Sequence, residues 1–380
     1  MTEEIRKPGP ADRAAIRRLW ESSFSEGQTA AYTDWYFDEV YRDDISLCLF
    51  AGGAPASSLQ MVPYALRLRS RRTPVDTLSS VVTGEAYRQR GLAKRLMAAA
   101  LSDMASRGIG FTFLYPFDHG FYERLGWATC SAALEYLLPA EELPDAAPEG
   151  YAARIEEKPD INTLSAIYKA WSAGYNCASI RAEADWQKRI GENISCDGFA
   201  VLAEYRGEPC AYAICEIEKG EINAYELASL RTGGIQAILS ALKARGLPVR
   251  WVAPEGDRAH LLPGRWMNAV RLRPHVMFRV TDVVLAFRQA APAASGRFIL
   301  EVTGDAMRPE NNGIYLVQAD NGAATAVKTD AKPQFSCGIG VLARILTGYI
   351  DAGEAVEAGL AEGSLEAVSL LEKMYPKQRN

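Results

Sequence analysis

Arg88-Gln89-Arg90-Gly91-Leu92-Ala93 puts two guanidiniums, an amide and a glycine into six residues, with Lys94 next. That set suits an anion. Successive backbone N–H groups in a tight bend form a nest, and Gly91 carries no Cβ to hold a phosphate away. Leu78 to Thr83 upstream reads as an apolar strand. Downstream, Leu92, Leu96, Met97, Ala100, Leu101 and Met104 fall at helical spacing as far as Gly108. A strand, a bend and a helix in that order aim the positive helix end at the bend, a place suited to a pyrophosphate. No G-x-G-x-x-G opens a βαβ unit, so this is not the dinucleotide fingerprint. A second chemical run is Pro116-Phe117-Asp118-His119-Gly120-Phe121-Tyr122. The Tyr122 phenol can donate to a leaving group. His119 can accept a proton, or be no more than a loop residue at the rim.

These runs need elements to hold them. Asp12 to Phe24 and Ala30 to Tyr41 read as helices, the second carrying Tyr32, Trp35, Tyr36 and Phe37. Strands are expected at 47–50, 59–69 and 75–83, then 109–114 and 127–138. Pro139 to Gly150 reads as a linker. After it the order repeats at domain scale: helices, a strand hairpin at 199–218, a strand at 222–230, a helix at 233–245, and a strand at 249–252. Ala290 to Gly296 is a second linker. Beyond it come three strands and two helices, near 340–349 and 364–375.

Apolar residues at 48%, charged residues at 23% and a net charge of −5 describe an ordinary globular chain. The 380 residues predict two or three domains. The absence of a basic excess argues against a nucleic-acid partner. Seven scattered cysteines without a C-x-x-C pair read as reduced, and three histidines leave little material for a metal site. No segment reads as a signal peptide or membrane span, so the expected compartment is the cytoplasm, without membrane attachment.

The bend fits Arg/Gln-x-x-Gly-x-Gly/Ala and resembles the acetyl-CoA pyrophosphate loop of the GNAT acetyltransferases. Phe121-Tyr122-Glu123-Arg124-Leu125-Gly126-Trp127 is similar to their F-Y-x-x-x-G-[FYW] signature. Val276-Met277-Phe278-Arg279-Val280-Thr281-Asp282-Val283 resembles the M-x-R-[IV]-x-D-V junction of the "enhanced intracellular survival" (Eis-like) group. Residues 340–363 resemble the end of sterol-carrier-protein-2-like (SCP2-like) domains. The resemblance covers essentially the whole chain. It implies an α+β (mixed α/β) fold: an acetyl-CoA-binding GNAT domain at 1–145, a degenerate GNAT-like domain at 146–288 and an SCP2-like domain at 289–380. The second domain reads Ser229-Leu230-Arg231-Thr232-Gly233-Gly234-Ile235 at the equivalent place and is expected to bind no CoA.

The resemblance further implies acetyl-CoA as co-substrate, without metal, held by Val81, Val82, Thr83, Arg88, Gln89, Arg90, Gly91, Leu92, Ala93, Lys94, Phe117 and Asp118. Tyr122 becomes the general acid, and the terminal carboxylate of Asn380 takes the place of a proton acceptor. Here the terminus lacks the group's usual aromatic residue. An α-carboxylate of pKa about 3.5 is also a poor base unless desolvated. Glu26 and Tyr36 become acceptor-pocket residues, Glu26 pairing with an ammonium and Tyr36 stacking on it. Proton transfer from an ordinary phenol (about 10) to a thiolate (about 8.5) is uphill by about 2 kcal/mol, so Tyr122 must be tuned or act by hydrogen bonding. The expected reaction is N-acetylation of a cationic small molecule (aminoglycoside-like or polyamine) or a lysine, in a homo-oligomer that is hexameric by resemblance. The other reading is a catalytically lapsed protein that senses CoA or lipid.

Overall fold

The computed structural model describes residues 2–24, 30–257, 259 and 270–380. The first third holds β1 (Glu3–Arg6), α1 (Arg13–Phe24), α2 (Ala30–Trp35), β2 (Ser46–Ala51), β3 (Ala54–Leu68), β4 (Arg71–Thr83), α3 (Leu92–Ser106), β5 (Phe111–Leu114), α4 (His119–Glu123), β6 (Ala128–Thr129) and β7 (Ala132–Leu138). The middle holds β8 (Tyr151–Glu156), α5 (Ile161–Ser172), β9 (Ala178–Ser179), α6 (Glu183–Ser195), β10 (Phe199–Tyr205), β11 (Glu208–Glu218), β12 (Glu221–Ser229), α7 (Thr232–Lys243), β13 (Val249–Pro254), β14 (Val270–Pro274), β15 (Met277–Val280) and α8 (Val283–Gln289). The last part holds β16 (Gly296–Thr303), β17 (Gly313–Asp320), β18 (Ala323–Lys328), β19 (Phe335–Gly338), α9 (Ile339–Leu346), α10 (Ala352–Glu357), β20 (Ala361–Gly363) and α11 (Leu365–Met374).

Three sheets result, giving the mixed α/β, α+β architecture expected. The first runs β1-β2-β3-β4-β5-β15-β6, the second β14-β7-β13-β12-β11-β10-β8, and the third β18-β17-β16-β19-β20. The internal repeat is explicit in the pairing. β4 and β5 run parallel with α3 between them in sequence, and β12 and β13 run parallel around α7. The expected strand at 127–138 is divided. β6 stays in the first sheet, whereas β7 pairs with β13 and β14 in the second. In return β15 leaves the middle of the chain and pairs with β5. Strand pairing therefore crosses the boundary expected at 145/146. The far side of each parallel pair is covered by the other half of the chain, β15 on β5 and β7 on β13.

One hydrophobic core joins the first and third sheets. Leu66, Val75, Phe111, Phe113, Phe278 and Val280 pack with Phe298, Val317, Leu342 and Tyr375. The opposite face of the first sheet packs on α3 through Leu59, Met61, Leu78, Leu96, Met97 and Leu101. All seven cysteines are free thiols.

Candidate functional site

β4 and β5 pair at only two positions, Asp76 with Thr112 and Thr77 with Phe113. β4 then continues to Thr83 paired with β3. Past Thr77 its other edge has no strand pair among the described residues. A bulge lies on the β3 side of the same stretch. The register slips between Ser58 and Gln60, and Ser80 adopts φ 52°. Ser80 Oγ sits 2.6 Å from the Tyr36 hydroxyl and accepts from Trp20 Nε1 at 3.2 Å. Nothing in the sequence marked Ser80 as special beyond a serine pair inside an apolar strand.

Past Thr83 the chain makes a short 3₁₀ turn and then the bend. Gln89 has φ 61° and Gly91 φ 73°. A Cβ at Gly91 would meet nothing within 4 Å. No side chain caps α3. Its first helical hydrogen bond runs from Arg95 N to Gly91 O, so the amides of residues 92–94 have no helical acceptor. Val82 and Leu92 are buried, and Val81, Thr83 and Ala93 are half-buried. Thr83 Oγ1 lies 2.9 Å from Ser57 Oγ. Arg88, Gln89, Arg90 and Lys94 are exposed around the bend. Arg90 differs from the expectation. It donates to Glu3 Oε1 at 3.1 Å, and Arg95 holds the other Glu3 oxygen. The Arg95 hydrogen bond keeps the Glu3 carboxyl below its ordinary range. Arg88 and Lys94 have no carboxylate partner among the described residues, and Arg88 Nε donates to Thr83 O at 3.4 Å.

The second repeat shows the contrast. A Cβ at Gly233, the equivalent helix start on α7, would strike the Tyr151 ring at 2.5 Å. Tyr151 packs on Tyr205 at 4.7 Å, and the Arg231 guanidinium lies over Tyr205 at 4.8 Å. Aromatic rings fill at α7 the space that stands open at α3.

Asp118 caps α4, its carboxylate accepting from Phe121 N at 2.9 Å. That turn sets Tyr122 inward, 5% exposed, in the cluster that contains Leu78, Leu92, Leu114 and Trp127. Strand end, helix start and phenol are thereby one packed unit. Phe117, 80% exposed, stands edge-on to the Tyr122 ring at 5.5 Å. Burial pushes the Tyr122 phenol up to about 12. Full transfer to a thiolate of about 8.5 is then uphill by about 5 kcal/mol, so its chemistry is hydrogen-bond donation. His119 Nδ1 lies 3.2 Å from Thr129 Oγ1.

The two motifs lock each other. Gly126 has φ 85°, and a Cβ there would overlap the guanidinium of Arg279. Arg279 is fully buried, donates to Leu125 O at 2.6 Å and pairs with Asp305, while its guanidinium lies 5.1 Å from the Trp127 ring centre. The glycine of the Phe-Tyr run is thus required by an arginine more than 150 residues later.

The expected acceptor residues fare differently. Glu26 lies outside the described residues. Tyr36 is not available for stacking. It is 5% exposed, its ring stacks on Trp20 at 4.7 Å, and burial raises its phenol to about 12. It braces the bulge instead. Other aromatics are exposed near the end of β5. Tyr115 is 66% exposed, and desolvation raises its phenol. Tyr64 is 41% exposed, and the ring of His275 lies 5.4 Å from that of Tyr115. Desolvation, with the charges of Arg273 and His119, lowers His275 to about 4 and leaves it neutral. Arg181, Asp185, Arg189, Glu192 and Glu226 lie within electrostatic reach of Tyr64 and Tyr115. Burial would raise Glu226, but the Arg181 charge at 2.5 Å outweighs it and holds the carboxyl at about 2. None of these residues stood out in the sequence, because they come from separate elements.

Asn380 is docked. Its side-chain amide donates to Cys130 O at 2.9 Å and Thr347 O at 3.3 Å, and accepts from Asn176 at 2.7 Å. Cys130 follows Thr129, the residue that His119 touches. Among the described residues, no group of three or more His, Cys, Asp or Glu could hold a metal ion.

Residues 4–130 match the family model of an acetyltransferase (GNAT) domain, and residues 281–380 that of a sterol carrier protein domain. No curated protein matches. Among solved structures, a probable N-acyltransferase from Enterococcus faecalis V583 superposes with TM-score 0.85 at 19% identity, covering 100% of this chain and 98% of its own. A GCN5-related N-acetyltransferase from Anabaena variabilis gives 0.82 at 17% identity, with the same coverages of 100% and 98%. Eis1 from Mycobacterium abscessus gives 0.76 at 16% identity, again covering 100% and 98%. A GNAT domain implies acetyl-CoA as co-substrate, in keeping with the open helix start beside an inward phenol. The chain carries a GNAT acetyltransferase domain and an SCP2-like C-terminal domain, and it shares its overall fold with Eis1 and the other N-acetyltransferase structures.

Proposed function

We propose that the protein transfers the acetyl group of acetyl-CoA directly to a primary amine of a cationic small molecule, aminoglycoside-like or polyamine, or of a lysine side chain. The observation that carries this reading is the packing of Tyr122 in one cluster with Leu78 of β4, Leu92 at the uncapped start of α3 and Leu114 at the end of β5, next to the exposed Tyr115. Val81, Val82, Thr83, the bend 88–94, Phe117 and Asp118 are the proposed CoA contacts. The amides of residues 92–94 would take the diphosphate. Asp185, Glu192 and Glu226 lie among the charges near Tyr64, Tyr115 and His275, together with Arg181, Arg189 and Arg273.

The acceptor starts as an ammonium of pKa about 10 and must lose one proton. Its nitrogen then attacks the thioester carbonyl. The C–N bond forms, the C–S bond breaks, and the surplus proton on nitrogen ends on the departing sulfur. Tyr122 donates a hydrogen bond to that sulfur as charge develops. The carboxylate of Asn380 holds the cation while water carries the first proton away. Homo-oligomer formation, hexameric by resemblance, and a cytoplasmic location belong to the same proposal. Among the described residues no helix is long and apolar enough to cross a membrane.

The other reading is a lapsed CoA- or lipid-sensing protein, and one observation bears against its lipid half. The apolar inner face of the third sheet is packed against the first sheet in a shared core, where a carried lipid would have to lie. The test is CoA release from acetyl-CoA with a panel of polyamines, aminoglycosides and lysine peptides, alongside neutral amines and longer acyl-CoAs. Thiol appearing in step with acetylated polycation supports the proposal. Binding of acetyl-CoA without release by any amine returns the lapsed reading.

A further inference from the structure

Two departures from regular backbone meet at one side-chain contact. The first is on β4, where Ser80 adopts φ 52°. Ser58 of β3 pairs with Val82 and Gln60 with Ser79, so Ser80 and Val81 together oppose Leu59. The second is at Tyr36–Val40, a single π-helical turn closed by Tyr41 N donating to Tyr36 O at 2.8 Å. Such turns recur at functional sites. Tyr36 opens this one, and its hydroxyl lies 2.6 Å from Ser80 Oγ. Trp20 of α1 completes a clamp. Its ring stacks on that of Tyr36 with centres 4.7 Å apart, and its Nε1 donates to Ser80 Oγ at 3.2 Å. The Phe37 ring stands edge-on to both, at centre distances of 5.7 and 5.2 Å.

Left-handed φ is unfavourable for a serine and persists where surrounding contacts over-determine it. Here those contacts are the two aromatic donors, both buried, on a half-buried serine. The place of the bulge says what they serve. Leu78, two residues before Ser80, belongs to the cluster that holds Tyr122, and Val81, one residue after, packs against the same cluster. In a regular strand residues three apart face opposite sides, and the extra residue of the bulge brings both to one side. Past Thr77 this edge of β4 has no strand pair among the described residues. The clamp therefore sets the direction of backbone N–H and C=O groups on the unpaired stretch of β4 that packs with Tyr122.

We propose that Trp20 and Tyr36 are positioning residues for the transfer, acting through Ser80 to set the bulged backbone of β4 against the acyl group of the bound thioester. This rests on the reading that acetyl-CoA lies along the unpaired edge of β4. The test is a cycle of four full-length proteins: wild type, Tyr36→Phe, Ser80→Gly, and the two changes together, assayed for kcat and KM with acetyl-CoA and a reactive polyamine. Tyr36→Phe keeps the stacked ring and loses the hydroxyl. Ser80→Gly adopts the same φ without strain and has no Oγ to clamp. In the parent chain Tyr36→Phe should lower kcat at least about tenfold, with KM for acetyl-CoA changed less than about twofold. In the Ser80→Gly background the same substitution should cost less than about twofold in kcat, because residues acting as a unit are non-additive. Equal losses in both backgrounds would make the Tyr36 hydroxyl merely structural and overturn the proposal. So would full activity of Tyr36→Phe, or a loss confined to KM, beside an active wild type, which leaves the transferase reading standing. A wild type that releases no CoA with any amine removes both. If Tyr36→Phe does not fold, Trp20→Phe, which loses the indole N–H, goes through the same cycle.

Discussion

At the residue scale, the Tyr122 phenol decides what kind of catalysis is available. A group held at about 12 stays protonated through the working range and can donate but not readily surrender its proton. Tyr122→Phe keeps the ring packing and removes the donor. Turnover should fall about 100-fold, with KM for acetyl-CoA little changed. The wild-type rate should rise with pH as the acceptor ammonium deprotonates and show no falling limb from Tyr122 below about pH 10. An unchanged rate in Tyr122→Phe would remove the phenol from the reaction. The same raised value has a stability sign. An unfolded tyrosine ionises near about 10, so the contribution is complete below that pH and is lost as pH rises through about 12.

At the element scale, the strand, bend and helix from β4 to α3 were legible because each step is local. Apolar spacing gave the helix, and a glycine between cations gave the bend. Gly91 tests this directly. An added Cβ meets no atom, so Gly91→Ala confronts only the left-handed φ, a cost of about 1–2 kcal/mol. CoA affinity should drop about tenfold by calorimetry while the thermal midpoint moves little. What the sequence did not disclose is non-local. β7 and β15 each look like the next strand of their own half, and periodicity has no means of saying that they trade sheets. Tyr36 was expected in the acceptor pocket by resemblance alone. Its partners, Trp20 and Ser80, lie 16 and 44 residues away and use both ring face and hydroxyl. Glu26 stands outside the described residues, and its role is untouched.

At the scale of the whole molecule, the third sheet serves as the back wall of the first. The buried Arg279–Asp305 pair is the hinge pin between them, since Asp305 also accepts from Met307 N at 3.0 Å and from Asn311 Nδ2 at 2.9 Å. Arg279→Ala strands a buried carboxylate and should cost about 3–5 kcal/mol in urea unfolding, with activity lost alongside. A stable Arg279→Ala protein would mean that the sheets are held together by their apolar core alone. The GNAT and SCP2-like parts were recognisable from motifs at 88–93, 121–127 and 340–363, whereas the charges near Tyr64 and Tyr115 were not, because they come from α6, the segment before it and β12. The central claim is that one CoA lies where the β4–β5 pairing ends. A crystal soaked with CoA tests it most directly. The diphosphate is expected on the amides of residues 92–94 and the sulfur within hydrogen-bond reach of the Tyr122 hydroxyl. CoA bound against α7 instead, with the bend at Gly91 vacant, would contradict it.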